Sequence, residues 1–195
     1  MQFTTVVLGA SMALMASAIP MHEHKHAHLH HSRNADNFPI RITNNCGSDK
    51  TFGLYQITGA FDMLQVSEGR TIPNGETHTL NAPFTGLGLR LSGNGDWPLG
   101  DQWKAQGLAE FGYSAYNGMD GTAYNLSFMQ GSDESIGISI TPDNSECGPK
   151  SCTSPATCSL TDAWTNPDQT ANGSPADTVC YHGKTGFNVV WCPSS

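Results

Sequence analysis

Two charged residues sit where they could do chemistry. In the run Thr85-Gly86-Leu87-Gly88-Leu89-Arg90-Leu91 the leucines at 87, 89 and 91 share one face, because successive side chains of a strand alternate sides. Gly86, Gly88 and Arg90 share the other. The arginine extends over two residues without side chains, which leaves room for a groove or a close partner backbone. The bland alternative is that the glycines accommodate twist and Arg90 is solvated. Leu108-Ala109-Glu110-Phe111 places Glu110 on the face of Leu108. Apolar surroundings raise a carboxyl pKa and a neighbouring cation lowers it, so pairing with Arg90 would settle the conflict. No basic residue occurs between Lys104 and Lys150, whereas Glu110, Asp120, Asp133, Glu134, Asp143 and Glu146 do. That stretch is a candidate acidic wall or an ordinary solvated face.

The histidines and cysteines suggest other chemistry. Six of the eight histidines, His22, His24, His26, His28, His30 and His31, crowd into ten residues. Neutral imidazoles so spaced can ligate copper, nickel or zinc. A propeptide or solubilising spacer is the favoured account of the tract over a metal role, and with Met21 and Leu29 as its large apolar residues it has no means to bury a core. Ahead of it, residues 1–18 carry no charge, hold two short apolar runs and end in Ala16-Ser17-Ala18. This reads as a secretory signal peptide, since the run is short of the roughly 20 apolar residues that span a membrane. Secretion implies an oxidising milieu, so the six cysteines read as three disulfides, with about 15 connectivities open.

These groups need a scaffold, and the composition points to strands. Of 195 residues, 37% are hydrophobic, 13% are charged, and 32 are glycine or proline. No stretch above twelve residues keeps a helical period. Period-2 alternation begins at Phe38 and recurs at 51–57, 77–81, 86–92, 108–113, 123–128, 136–140 and 187–192, with turns at Pro73-Asn74-Gly75, Gly93-Asn94-Gly95-Asp96 and Asn117-Gly118. The expected organisation is a signal peptide (1–18), a disordered histidine-rich leader (19–37) and one all-β domain (38–195). That domain is a β-sandwich with a disulfide-stapled, loop-rich lobe over 143–180. Seventeen acidic and nine basic residues give a net charge of −8. That excludes a nucleic-acid partner, which requires a basic footprint. No cofactor is expected, and the chain is expected to be a monomer.

Several segments resemble thaumatin-like proteins. Ile40-Arg41-Ile42-Thr43-Asn44-Asn45-Cys46 is similar to their opening strand, and Phe187-Asn188-Val189-Val190-Trp191-Cys192-Pro193 to their closing one. Leu80-Asn81-Ala82-Pro83 followed by Arg90, then Leu108-Ala109-Glu110-Phe111, then Tyr124-Asn125-Leu126-Ser127 resemble family segments in the same order. The length, the few cysteines and the histidine-rich leader look most like the small fungal secreted group, the CalA/CetA type, some of them described as antigenic. The resemblance implies a two-sheet sandwich and pairings of Cys46 with Cys192, Cys147 with Cys180, and Cys152 with Cys158.

Larger family members carry a cleft of one Arg, one Glu and three Asp, linked to β-1,3-glucan binding and, in some, weak glucanase activity. Arg90 matches the Arg and Glu110 the Glu. The first two Asp positions fall on Asn125 and Gln130, and the third is ambiguous between Asp168 and Asp177. Glycoside hydrolysis generally needs two carboxyls, and amides cannot take either proton role; Asp120, Asp101 or Asp96 would have to supply the second. Asn125-Leu126-Ser127 and Asn172-Gly173-Ser174 are glycosylation sequons, and a glycan on Asn125 would obstruct this groove. The implied groove is Arg90, Glu110, Asp120, Asn125 and Gln130, with Trp97 and Trp103 as sugar-stacking residues or ordinary packing. Three functions follow: a non-catalytic cell-wall β-glucan or surface-ligand binder, a weak β-1,3-glucanase using Glu110, or a surface adhesin or antigen contacting a protein partner. Beyond residue 33 the chain holds 16 acidic and 7 basic residues, a net of −9, so the acidity belongs to the domain.

Overall fold

The computed structural model describes residues 37–58, 63–84, 86, 88–95, 107–129, 136–166, 169 and 176–194. The expected signal peptide and histidine tract lie outside them. Asn37, expected in the leader, instead opens the first strand.

Thirteen strands form two sheets among the described residues. In the first sheet β1 (Asn37–Asn44) lies between β5 (Thr77–Pro83) and β13 (Phe187–Trp191), and β9 (Ile138–Pro142) and β10 (Lys150–Cys152) extend it beyond β13. The β1–β13 pair is parallel, with Ile40 opposite Phe187 and Ile42 opposite Val189. Its other ladders are antiparallel.

The second sheet runs β11 (Ala163–Trp164), β8 (Met119–Ser127), β7 (Leu108–Tyr116), β6 (Leu89–Ser92), β2 (Lys50–Ile57) and β3 (Met63–Gln65). Off this path, β12 (Thr178–Cys180) pairs with β8 and β4 (Arg70–Ile72) with β2. The longest hairpin, β7–β8, closes through Asn117 and Gly118 with φ of 50° and 78°. Both central residues of a type I′ turn need positive φ, and Asn-Gly tolerates it best.

Alternation sorts the side chains. Phe38, Ile40, Ile42, Ile138, Ile140, Phe187, Val189 and Trp191 of the first sheet meet Phe52, Leu54, Leu89, Leu91, Ala109, Phe111, Tyr124 and Leu126 of the second. Aromatic rings tie the layers together: Phe52 stands edge-on to Trp191 at 5.0 Å, and Phe187 lies 4.9 Å from Phe111 and 5.1 Å from Tyr124. Such pairs add about 0.5–1.5 kcal/mol each beyond area burial. Asn44 is the polar exception. Fully buried, it donates to the carbonyls of Ser48 and Ile72, both at 2.8 Å, and accepts from the Cys46 amide at 3.1 Å. A buried amide costs little only when its bonds are made, and these hold the turn after β1 against the end of β4.

The disulfides are Cys46–Cys192, Cys147–Cys180 and Cys152–Cys158. The lobe over 143–180 is less loop-like than its composition implies. It contains β10, β11, β12 and a 3-10 turn at Pro155–Thr157, and β11 and β12 both pair with β8. The strand expected from residue 86 starts at Leu89, whereas the one expected to end at residue 113 runs on to Tyr116.

Cys46–Cys192 closes 146 residues of sequence. In the chain-entropy picture that contributes about 4–5 kcal/mol, so Cys46→Ser with Cys192→Ser is expected to lower Tm by about 8–20 °C. Differential scanning calorimetry of the pair against wild type checks this, and superimposable melts would refute it.

Candidate functional site

The alternation that fills the core turns a row of polar residues outward on the second sheet. Leu89 and Leu91, Ala109 and Phe111, and Tyr124 and Leu126 point inward, so Arg90, Glu110 and Asn125 between them point out. Register sets them side by side: Tyr55 opposite Arg90, Arg90 opposite Glu110, Glu110 opposite Asn125. Asp177, immediately before β12, continues the row beyond Asn125.

The row is hydrogen-bonded along its length. Arg90 Nε donates to Glu110 Oε1 at 2.8 Å, with the side chains only 15% and 18% exposed. Asn125 Nδ2 donates to Asp177 Oδ1 at 3.0 Å, and Trp164 Nε1 donates to the same oxygen at 2.8 Å. Asn125 Oδ1 is buried and accepts no hydrogen bond among the described residues. An amide between two carboxylates turns its donors toward both, which accounts for the idle acceptor.

Burial pushes the Glu110 carboxyl above the ordinary range. The Arg90 charge and hydrogen bond oppose this, the Asp177 charge adds to it, and hydrogen bonding from Asn125 opposes it. Desolvation outweighs the cation because the whole pair is withdrawn from water. Glu110 therefore holds its proton to higher pH than a free carboxyl does, the direction a general acid or a donor to a ligand hydroxyl needs. Lys150, on the buried side of β10, donates through Nζ to the Thr161 carbonyl. Burial pushes its pKa down, with Asp162 and Asp177 opposing.

Of the residues expected to line a groove, the fold brings together Arg90, Glu110 and Asn125. Asp120 does not join them. It pairs with Ala115, five positions along β7 from Glu110, about 17 Å away at strand rise and of opposite facing, and it accepts from the Tyr113 hydroxyl at 2.7 Å. The acidic wall also dissolves. Asp143 accepts from Arg41 at 2.8 Å and from Asn188 at 3.2 Å on the first sheet, and Glu146 lies 3.3 Å from His182. Gln130, Trp97, Trp103, Asp96, Asp101, Asp133, Glu134, Asp168 and Asn172 lie outside the described residues, as do the six clustered histidines.

Asp177 is the residue that sequence reasoning left unresolved within 168–177. Three residues before Cys180, it is delivered to the row by the short β12–β8 ladder, which carries no alternation signal of its own. No group of three His, Cys, Asp or Glu side chains that could hold a metal ion occurs among the described residues.

No family model and no curated protein matches the sequence. Among solved structures, the chain is similar to the protein elicitor MoHrip2 from Magnaporthe oryzae, with a TM-score of 0.55 and 14% identity over 80% of this chain and 99% of that one. The thaumatin-like xylanase inhibitor TLXI gives a TM-score of 0.48 at 14% identity, with the same coverage. The architecture is a thaumatin-like β-sandwich, as the segment resemblances imply.

Because the folded state holds the Glu110 proton more tightly than the unfolded chain does, its stabilisation is complete at low pH and is lost as pH rises through the raised folded pKa. The expected result is that the stability of wild type relative to Glu110→Gln falls as pH rises through that window. Melts taken across the acidic range, with carboxyl NMR of Glu110, check this; parallel profiles would overturn the assignment.

Proposed function

We propose that this chain is a secreted thaumatin-like binding protein of the cell wall or surface, whose outward polar row recognises a neutral polyhydroxylated ligand such as β-glucan without efficient turnover. The observation that carries the reading is the mutual pairing of the row. Glu110 is engaged by Arg90, and Asp177 Oδ1 receives both Asn125 and Trp164. A row of fixed donors and acceptors suits hydroxyl groups, and its rigidity removes part of the ordering cost of binding. With Oε1 occupied by the Arg90 guanidinium, that oxygen of Glu110 is not free to take a proton from an attacking water. Net charge disfavours polyanions, three disulfides suit an oxidising exterior, and no helix among the described residues is long and apolar enough to cross a membrane. The signal peptide over 1–18, and membership of the small fungal CalA/CetA group with its antigenic members, belong to the same proposal, as does the monomeric state.

The alternative of weak β-1,3-glucanase activity gains one observation. Asp177 supplies the second carboxyl that Asn125 and Gln130 cannot, beside a Glu110 whose pKa is raised, and glycosidases work by pairing a protonated carboxyl with an ionised one. A protein-contacting adhesin is supported by no single contact.

Laminarin pull-down paired with a reducing-sugar assay, on wild type, Glu110→Gln and Asp177→Asn, separates the readings. The expected outcome is binding without turnover, weakened about 10-fold in either variant, equivalent to about 1.4 kcal/mol. Turnover abolished by either substitution would establish the glucanase instead, and neither binding nor turnover would leave a protein partner.

We further read Asn125 as an amide of this row rather than a glycan carrier, because its Nδ2, where a glycan would attach, is occupied by Asp177. Intact-mass and peptide mapping of the secreted protein should find Asn125 unmodified; a glycan there would exclude the row as the ligand site.

A further inference from the structure

The outer face of the second sheet does not end at the polar row. Toward the β7–β8 turn, the next cross-strand row is Gly112, Ala123 and Val179, and Gly88, the residue before β6, accepts from the Ile57 amide at 2.8 Å. Beyond it come Ser114 opposite Gly121, and then Tyr116 opposite Met119. The floor is thus made of glycine, serine and alanine. A side chain at Gly112 would meet no described residue within 4 Å, so none of them fills the space above it. On one flank Ile57 reaches the position where a side chain at Gly88 would begin, at 3.3 Å. On the other, Val179 and Tyr181 stand at 2.9 and 3.0 Å from the corresponding position over Gly121. At the far end Tyr116 is 61% exposed and Met119 48% exposed, and the Tyr116 and Tyr181 rings lie 6.3 Å apart at 47°.

This is a shallow trough with raised flanks and an aromatic end. From Glu110 to Tyr116 it runs six residues of strand, about 20 Å. Beyond Glu110, no Asp, Glu, Lys or Arg stands among the described residues of its floor, flanks or tyrosine end, so these residues present no charge to a ligand. A bare backbone floor lets a broad ring approach closely, and an exposed Tyr116 beside a half-buried Tyr181, each with one apolar face and one polar tip, is suited to stacking on a sugar.

We propose that this glycine-floored trough is an extended subsite for a linear neutral glycan, with one ring over the polar row and the remaining rings running along Gly112 to stack on Tyr116 and Tyr181. The assignment rests on the glycan-binding reading above and adds to it the direction of the chain, a length requirement and the residues of the distal subsite. It separates two roles: the polar row recognises hydroxyls, and the trough measures polymer length.

The test is calorimetric titration with laminarin-derived oligosaccharides from the disaccharide upward, on wild type, Tyr116→Ala, Gly112→Val and Glu110→Gln. Gly112→Val adds a β-branched side chain in open space on a strand, so the fold should tolerate it; melting curves confirm that each variant is native. The expected result is that wild-type affinity rises with chain length until the trough is filled. Tyr116→Ala should weaken the long oligosaccharides by about 2- to 10-fold, the worth of one aromatic contact, Gly112→Val should weaken them by blocking the floor, and both should leave the disaccharide unchanged. Glu110→Gln should weaken all lengths alike. Affinity independent of length, or unchanged in both trough variants while Glu110→Gln still weakens binding, overturns the trough alone. No binding of any length by wild type overturns both the trough and the reading on which it rests.

Discussion

The pairing of β1 with β13 is the constraint on which the rest of the structure depends. These strands come from opposite ends of the domain and lie parallel, Ile40 to Asn44 matched against Phe187 to Trp191. A parallel ladder between such distant segments must overcome a large loop-closure entropy, and Cys46–Cys192, just beyond the paired residues, reduces that cost by limiting the unfolded chain. Once formed, the ladder places Ile40, Ile42, Val189 and Trp191 on one buried surface. The second sheet then has a partner on which to bury its own leucines and aromatics.

The polar row follows from the same packing. A strand that gives alternate side chains to a core must present the others outward, and the β6–β7–β8 register brings Arg90, Glu110 and Asn125 into one line. Burying an ion pair costs desolvation that its attraction only partly returns. Here the pair is mostly covered, and the carboxyl still titrates high despite its arginine. The row also depends on the lobe. Asp177 arrives on β12 and Trp164 on β11, both against β8, and Cys147–Cys180 ties β12 to the segment before β10. The stapled lobe thus completes the site.

Much of the fold was legible in the chain. Alternating apolar residues around Ile40, Leu89, Phe111 and Val189 marked the core strands, because burial on one sheet face demands that period, and Asn117-Gly118 marked the hairpin through its tolerance of positive φ. The short strands β3, β4, β10, β11 and β12, of two or three residues, were not legible, since a ladder that short is set by its neighbours and leaves no period. Of the site, the Arg90–Glu110 pair could be anticipated from a carboxylate beside apolar residues. The misplacement of Asp120 had the opposite cause: nearness in sequence says nothing about facing, and five positions along a strand reverse it.

The sequence by itself determined the class, an acidic all-β chain with its core strands and the two ion-pairing residues of the site, because side-chain period and burial are local properties. Tertiary structure alone decided that Asn125 sits between Glu110 and Asp177, that Trp164 holds the same carboxylate, and that Asp120 and Asp143 stand apart from Glu110, Asp143 against the first sheet. It also decided that Gly112 opens a trough toward Tyr116 and Tyr181. The physical reason is register: which side chains become neighbours across strands is set by long-range hydrogen-bond ladders, not by any spacing along the chain.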